Sequence, residues 1–158
     1  MAMNTHIKFD GIDGESTNKD HKGEVEVLTW NWGASLDAAA AGSGGATGKA
    51  RLHEFRFVHR YDKASPALFQ RVVEGRRLKE VFVTARKSGE GQKEFLKVTF
   101  KDVVVSSVNQ TGDLAELTEE VTLQPASISI DYRPQDAKGG VGTSVTAEWS
   151  VRSGSKIR

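Results

Sequence analysis

Four histidines are the first candidates for chemistry in this 158-residue chain, and their spacing argues against a metal site. His53 and His59 are predicted on the same face of one strand, where six residues at ~3.3 Å each place them about 20 Å apart. Zinc ligands lie about 2 Å from the ion, so these two histidines cannot share one. His21 stands in a polar stretch, which favours a hydrogen bond that fixes a loop. We predict neither a bound metal nor a cofactor.

The residues that could act as nucleophiles lack the neighbours that would activate them. The chain has no cysteine, which excludes thiolate chemistry, disulfides and thiolate zinc sites. Ser106 and Ser107 follow an apolar run, but no Gly-x-Ser-x-Gly turn and no adjacent histidine accompany them. Glu119 and Glu120 point to opposite faces of a strand and cannot form a local acid–base pair. The sequence predicts no enzyme, although a triad assembled from distant residues stays open.

A glycine-rich stretch that ends at Gly48 and Lys49 resembles the end of a phosphate-binding loop. That motif needs glycine at position 43 and serine or threonine at position 50, whereas the chain carries Ser43 and Ala50. No strand–loop–helix context follows the stretch. A flexible loop explains it better than nucleotide binding does.

Charge balance and hydropathy exclude two further classes of protein. The chain has 22 Lys+Arg against 21 Asp+Glu, a formal net charge of +1, whereas polyanion binders usually carry a basic surplus or a dense basic patch. No apolar run approaches the ~20 residues of a membrane-spanning helix. The N-terminal residues also lack the layout of a signal peptide. We therefore predict no nucleic-acid partner, no membrane insertion, and a cytoplasmic chain that only a dedicated machine would export.

The elements that position these residues are mostly strands, because apolar and polar residues alternate with a period of two. Strands are predicted over 54–58, 81–85, 96–101, 127–133 and 145–152. A hairpin loop at 88–92 joins two of them, and a loop at 135–143 joins the last two. One apolar and one polar face per strand is typical of antiparallel sheets. We predict a mainly β fold, an antiparallel β-barrel or two-sheet sandwich, in one domain over 1–158.

The segment EVEVLTWNWG at residues 24–33 changes phase within one strand. Val25 and Val27 are apolar at odd positions, whereas the following apolar residues stand at even positions, which predicts a β-bulge or a strand that turns a barrel corner. Thr29 and Asn31 then point away from the two tryptophans. The candidate core aromatic residues are Trp30, Trp32, Trp149, Phe55 and Phe57.

One short helix is predicted over about residues 66–74. Ser65 is a candidate N-cap, Pro66 fits the first helical position, and Gly75 fits the position just after the end. A second feature is the Gly/Ala-rich segment 34–50, which has no periodicity and is predicted to be a long flexible loop.

Several passages resemble the haemolysin-coregulated protein (Hcp) family, the tube subunits of bacterial type VI secretion systems. The closest is GIDGESTNKDHKGEVEVLTWNWGAS at residues 11–35, with the family's Gly-Glu-Ser, His and Trp-x-Trp-Gly pattern. The others are YDKASPALF at 61–69, VSSV at 105–108, LTEEVTLQPASISIDYRPQ at 117–135 and TAEW at 146–149. They occur in family order over nearly the whole chain. The sequence departs from the family in its alanine-rich loop and at residues 113–116.

The resemblance implies a β-barrel subunit with one flanking helix, which closes into hexameric rings that stack into a tube inside a contractile sheath. It implies as partners other copies of the chain, the spike protein (VgrG), the sheath and baseplate, and small effector proteins carried or chaperoned in the ring lumen. It further implies export from the bacterial cytoplasm to the medium or into target cells without a cleaved signal peptide, with roles in bacterial competition and virulence.

The resemblance and the strand pattern together suggest two functional surfaces. Asn31 and Thr29 are expected to face the lumen and its cargo, although plain solvent or a neighbouring subunit is the alternative for Asn31. The loop at 34–50 is expected to contact the next ring, with a passive loop as the alternative. Its candidate ring-stacking residues are Leu36, Asp37, Ser43, Thr47 and Lys49.

Two other functions stay open on sequence alone. A stand-alone ligand-binding or hydrolytic β-barrel needs a concave site with convergent polar groups, and the sequence assembles none. A single-strand nucleic-acid binder is suggested by Lys93, Lys97 and Lys101 on one strand face, but the net charge near zero weighs against it.

Overall fold

The computed structural model describes residues 3–37, 49–88, 93–135 and 141–151. In chain order, its elements are β1 (Met3–Phe9), β2 (Val25–Asn31), β3 (Ala34–Leu36), β4 (Ala50–Leu52), β5 (Phe55–Arg60), α1 (Ala64–Glu74), β6 (Leu78–Lys87), β7 (Glu94–Gly112), β8 (Leu117–Gln124), β9 (Ser127–Tyr132) and β10 (Val145–Ser150). Among the described residues, no helix is long and apolar enough to cross a membrane.

Six of the strands close into a barrel. The order β7-β6-β1-β2-β5-β8 is continuous, and β8 pairs again with β7, which returns the sheet to its starting strand. β9 and β10 continue the sheet outward from the first half of β7 and lie outside the closed ring. The predicted mainly β architecture with one short helix is confirmed, in the form of a barrel with a two-stranded extension.

β7 serves two parts of the sheet because it bends near its middle. Its residues up to Val103 pair with β6, and those from Val104 onward pair with β8. Asp102 stands at the junction with a φ of 50°, in the left-handed region that residues other than glycine rarely adopt. The bend allows one strand to pass from the β6–β9 side of the barrel to the β8 side.

Alternate residues of the barrel strands fill its interior. Ile7 of β1, Phe55 and Phe57 of β5, Phe100 of β7 and Leu68 of α1 are all almost completely buried. The rings of Phe55 and Phe100 meet edge-on with centroids 5.2 Å apart, an arrangement that aromatic pairs prefer. Burial of each such side chain contributes ~1.5–3 kcal/mol to folding.

The helix begins two residues earlier than predicted. It starts at Ala64, with Lys63 rather than Ser65 at the N-cap position. The Asp62 carboxylate accepts the Ala64 N–H at 2.9 Å, and Ser65 Oγ accepts the Asp62 N–H at 3.2 Å. The aspartate therefore satisfies a free N–H of the first turn, a role that the sequence assigned to the serine. Gly75 ends the helix in the left-handed conformation with φ of 65°, as its position predicts.

The phase change in β2 is a β-bulge, as predicted. Val27 pairs with His59, whereas Thr29 pairs with Val58, so Leu28 is the extra residue. The bulge reverses the faces of the strand, and the tryptophans beyond it point to the same side as the valines before it.

Two expectations about the following segment are wrong in part. Both ends of the loop predicted over 34–50 are strands, because β3 and β4 pair antiparallel as a small ribbon; residues 38–48 lie outside the described residues. His53 precedes β5 and does not share a strand with His59. The backbone N–H of His53 donates to the Gly33 carbonyl at 2.8 Å.

Candidate functional site

The outer face of β2 is polar and continues onto its neighbours. Thr29 and Asn31 are both exposed, and the strand register places Asn31 beside Arg56 and Thr29 beside Val58 of β5. One strand further, Glu120 of β8 stands opposite Val58. The two residues predicted to face cargo therefore lie together on one hydrophilic face of the barrel.

The five aromatic residues predicted in the core differ in depth. Phe55 and Phe57 are fully buried. Trp30, Trp32 and Trp149 are half-buried and pack against the margin of the core. Trp30 stacks on Phe55 with ring centroids 5.9 Å apart. The tryptophans therefore close the edge of the hydrophobic core, while the phenylalanines form its centre.

The candidate ring-stacking residues lie on or beside the β3–β4 ribbon. Leu36 ends β3 and is 56% exposed, an unusual position for leucine. The Asp37 N–H donates to the Lys49 carbonyl at 3.1 Å and closes the base of the ribbon. Ser43 and Thr47 lie outside the described residues. The ribbon therefore presents an apolar side chain where the segment leaves the barrel.

An apolar groove of about 290 Å³ lies between the ribbon and the β9–β10 extension. Its walls come from both elements and from the end of the Trp-x-Trp motif. The apolar residues that shape it are Trp32, Leu52, Ile128, Ile130, Ala147 and Trp149. Two charged residues, Arg51 and Glu148, also line it. The groove offers contact area to an apolar group but no set of convergent polar groups for catalysis.

A buried polar cluster links the barrel to the start of α1. His59 Nε2–H donates to Glu119 Oε1 at 2.9 Å, and the other Glu119 oxygen accepts from Gln110 Nε2 at 2.7 Å. Both His59 and Glu119 are fully buried. Asp62 Oδ1 lies 3.8 Å from His59 Nδ1. Burial raises the pKa of the Asp62 carboxyl, and the His59 ring opposes that rise.

A second polar cluster joins β1, the segment before β2, and the hairpin of β6 and β7. The rings of His6 and His21 stack in parallel with centroids 4.4 Å apart. The ring nitrogens of His21 lie 3.0 Å from Glu24 Oε1 and 2.9 Å from Glu94 Oε1. Burial, the neighbouring His21 ring and the Arg86 guanidinium lower the pKa of His6 from 6.5 to about 4, against an opposing effect of Glu94. His21 therefore fixes its loop by hydrogen bonding, as predicted.

The Arg86 side chain ties the same loop to β6. Its guanidinium donates to Asp20 Oδ2 and to Asn18 Oδ1, both at 2.8 Å. Arg86 is 9% exposed, so these charge-assisted bonds offset much of the cost of burying its charge. The cluster holds residues 18–24 against the barrel wall.

The His59–Glu119 cluster was not identified from the sequence, although the alternation of its two strands contains the signal. His59 follows Phe55 and Phe57 at even spacing, and Glu119 precedes Val121 at even spacing. Side chains two residues apart point to the same face, so both polar groups had to face inward. Their pairing depends on the register between β5 and β8, in which His59 stands opposite Glu119.

The remaining candidates for chemistry are not brought together. Ser106 Oγ donates to the Thr122 carbonyl at 3.3 Å, as a polar strand residue does. Lys97 stands opposite Asp131, and Lys101 opposite Glu80, so carboxylates face this lysine row. In the part of the chain that the structure describes, no three His, Asp or Glu side chains are grouped to hold a metal ion.

Comparison with known proteins gives a consistent result over almost the full length. Residues 6–132 match the model of the family "Type VI secretion system effector, Hcp". The chain is 39% identical over 157 residues to the protein hcp1 of Pseudomonas aeruginosa strain PAO1, which covers 96% of this chain and 97% of the relative.

Solved structures agree in fold. The crystal structure of Hcp1 from Salmonella typhimurium is 32% identical, has a TM-score of 0.84, and covers 99% of this chain and 100% of the relative. A solved type six secretion system protein is 30% identical with a TM-score of 0.90, at the same coverage.

Proposed function

The chain belongs to the Hcp family of the type VI secretion system, and we propose on that premise that it is a tube subunit whose copies close into hexameric rings that stack. The observation that carries the proposal is the family match over residues 6–132, together with relatives aligned over 96% or more of the chain. The comparisons favour this function over a stand-alone ligand-binding or hydrolytic barrel.

The surfaces of the barrel suit a structural role. A hydrophilic outer face around Asn31 and an apolar groove beside the β3–β4 ribbon provide one surface for solvent or cargo and another for association. We expect no enzymatic activity from the chain. Its remaining partners would be the spike protein, the sheath and the baseplate. It would be exported to the medium or into a target cell.

The assembly state is tested by light scattering and negative-stain imaging of the purified chain. Six copies of 17.2 kDa give about 103 kDa, and rings of that mass are expected. A chain that stays a monomer at high concentration, with or without added tube and spike proteins of the same system, contradicts the proposal.

Asn31 and Thr29 are proposed to line the lumen and to contact small effector proteins there. The substitution Asn31→Arg adds bulk and charge to the polar face without entering the core. Ring formation is therefore expected to persist, while less effector protein co-purifies with the rings. Gln70→Arg on α1 is a control, since Gln70 is also exposed but lies on the helix. If Asn31→Arg rings retain as much effector as Gln70→Arg rings, the lumen assignment is wrong.

The segment between β3 and β4 is proposed to contact the next ring. Its base is closed by the Asp37–Lys49 backbone hydrogen bond, and residues 38–45 lie between these two positions in the sequence. Deletion of these eight residues is expected to spare the ring but to impair tube growth and secretion. Normal secretion by the deletion variant would leave the segment as a passive loop.

A further inference from the structure

The apolar groove beside the ribbon exists because the core face of the sheet continues past the barrel. Phe100 and Val98 of β7 are buried, and they stand opposite Ile128 and Ile130 of β9. The same face then passes to β10, where Ala147 stands opposite Ile130. Outside the barrel this face loses its cover: Ile128 is 3% exposed, whereas Val145 at the far end of β10 is 63% exposed. We call the groove at this edge the socket, with the lining residues given above.

A single leucine protrudes from a different part of the molecule. Leu114 lies at the tip of the β7–β8 hairpin and is completely exposed, more so than any other large hydrophobic residue described. The turn that carries it is well ordered by hydrogen bonds, because Asp113 Oδ1 accepts the N–H groups of Ala115 and Glu116 at 2.7 and 2.9 Å. The Asp113 N–H in turn donates to the Glu116 carbonyl at 3.0 Å. We call Leu114 on this hairpin the knob.

The knob and the socket lie at opposite ends of the barrel. The socket residue Leu52 ends β4 just before β5, and β5 runs to Arg60, which pairs with Thr118 beside the hairpin tip. β7 likewise runs from Phe100, next to the socket wall, to Gly112, twelve positions later at the tip. At ~3.3 Å per residue that is about 40 Å of strand, which the bend at Asp102 shortens but does not remove. A chain cannot place its own Leu114 in its own socket.

We propose that the socket of one copy of this chain receives Leu114 of a second copy, in a head-to-tail contact. The inference rests on the proposed function, since it names a contact by which the copies would associate. An isobutyl side chain fits within 290 Å³, and its transfer from water to an apolar groove is favourable. A contact between opposite ends of two barrels is heterologous, so it repeats from copy to copy rather than closing a simple dimer.

Charge supports the same pairing. Arg51 lines the socket on the ribbon side, and the knob is flanked by Asp113 and Glu116. A copy that inserts Leu114 brings these two carboxylates to the rim beside Arg51; within its own chain the Glu116 carboxylate also lies 3.7 Å from Arg60 Nε on the exposed surface. Glu148 lines the opposite wall, so the acidic flank of the knob is expected on the Arg51 side.

The absence of cysteine from the sequence allows a direct test. The variant Leu114→Cys/Ala147→Cys places one thiol on the knob and one in the socket; Ala147 is exposed, so the monomer fold tolerates the change. A disulfide needs the two Cβ atoms within about 4.5 Å, and mild oxidation is expected to give a ladder of linked copies on a denaturing gel. The matched control is Leu114→Cys/Thr146→Cys, because Thr146 lies on the other face of β10.

A second measurement examines affinity without crosslinking. Leu114→Asp and Arg51→Glu are each expected to weaken self-association at least tenfold, by loss of the apolar insertion or by charge repulsion. The double charge exchange Glu116→Lys/Arg51→Glu, which keeps the Asp113 carboxylate that orders the turn, is expected to recover part of the affinity.

The possible results distinguish failure of the proposed Leu114–socket contact from failure of the proposed tube function. A ladder from the Ala147 pair and little from the Thr146 pair supports the contact. Equal linking by the two pairs, or none from either while light scattering still shows assembled particles, overturns the contact and leaves the tube function standing. A wild-type chain that remains monomeric overturns the proposed function as well.

Discussion

Replacing Glu119 by alanine removes the acceptor of two hydrogen bonds inside the barrel. The Glu119 carboxylate is fully buried and accepts from His59 at 2.9 Å and from Gln110 at 2.7 Å. Without it, the fully buried His59 Nε2–H faces a small cavity in place of an acceptor, whereas the exposed Gln110 amide can donate to water. We expect the variant to fold with a large loss of stability.

The magnitude follows from the loss of one member of a buried pair. Removal of one member of a buried ionisable pair costs ~3–5 kcal/mol, and the buried His59 donor left without a partner accounts for about 1–3 kcal/mol of that loss. We therefore expect a free energy of unfolding lower by about 4 kcal/mol. For a chain of this length, that corresponds to a Tm lower by roughly 8–16 °C.

Urea unfolding followed by tryptophan fluorescence measures this effect at one fixed protein concentration, since association also contributes to apparent stability. Glu120→Ala is the control, because the adjacent carboxylate is exposed on the other face, and a change below ~0.5 kcal/mol is expected there. Glu119→Gln should lie between the two, since its amide oxygen can still accept one of the two hydrogen bonds that the carboxylate accepts. If Glu119→Ala unfolds within 1 kcal/mol of Glu120→Ala, the buried pair does not stabilise the barrel as argued.

Two further predictions concern β1 and the segment that follows it. The pKa of His6 is about 4 in the folded chain, below the unfolded value of 6.5, so the unfolded chain binds more protons between these two values. The contribution of His6 to the free energy of unfolding is therefore fully present above pH 6.5 and falls by up to roughly 3 kcal/mol toward pH 4. Urea titrations at pH 7 and pH 4.5 should show a smaller decrease for His6→Gln than for the wild type, and equal decreases would count against His6. A Cβ on Gly14 would lie 2.6 Å from the Glu24 carbonyl oxygen, so Gly14→Ala should lower stability by about 1–3 kcal/mol. Gly112→Ala, whose Cβ would meet only the Leu117 side chain at 3.4 Å, is the comparison, and similar losses in the two variants would refute the steric argument.

The fold was largely predictable because its strands alternate cleanly. The β2 bulge followed from the phase change between Val27 and Trp30, and the β6–β7 hairpin from two alternating runs around a polar loop. The closure of the barrel was not predictable in this way. It depends on the bend of β7 at Asp102 and on long-range pairing between β7 and β8. Aspartate adopts a positive φ more often than most residues other than glycine, but a single aspartate inside an alternating run does not predict a bend.

The candidate functional surfaces were predictable only in part. Alternation alone placed Thr29 and Asn31 on the polar face of β2. The socket requires Trp32, Leu52 and Trp149 from three distant segments, and their proximity depends on tertiary pairing that no local pattern contains. Leu114 lies in the short sequence Asp113-Leu114-Ala115-Glu116, which composition does not distinguish from an ordinary loop.

The most direct test of the tube-subunit function is the export of this chain from living cells. Its amount in the culture medium would be compared between a strain with an active type VI secretion system and an otherwise identical strain that lacks the contractile sheath. The tube-subunit assignment predicts the chain in the medium of the first strain and its retention inside the second. Equal amounts in both media, or retention in both while another tube protein is exported, would contradict it.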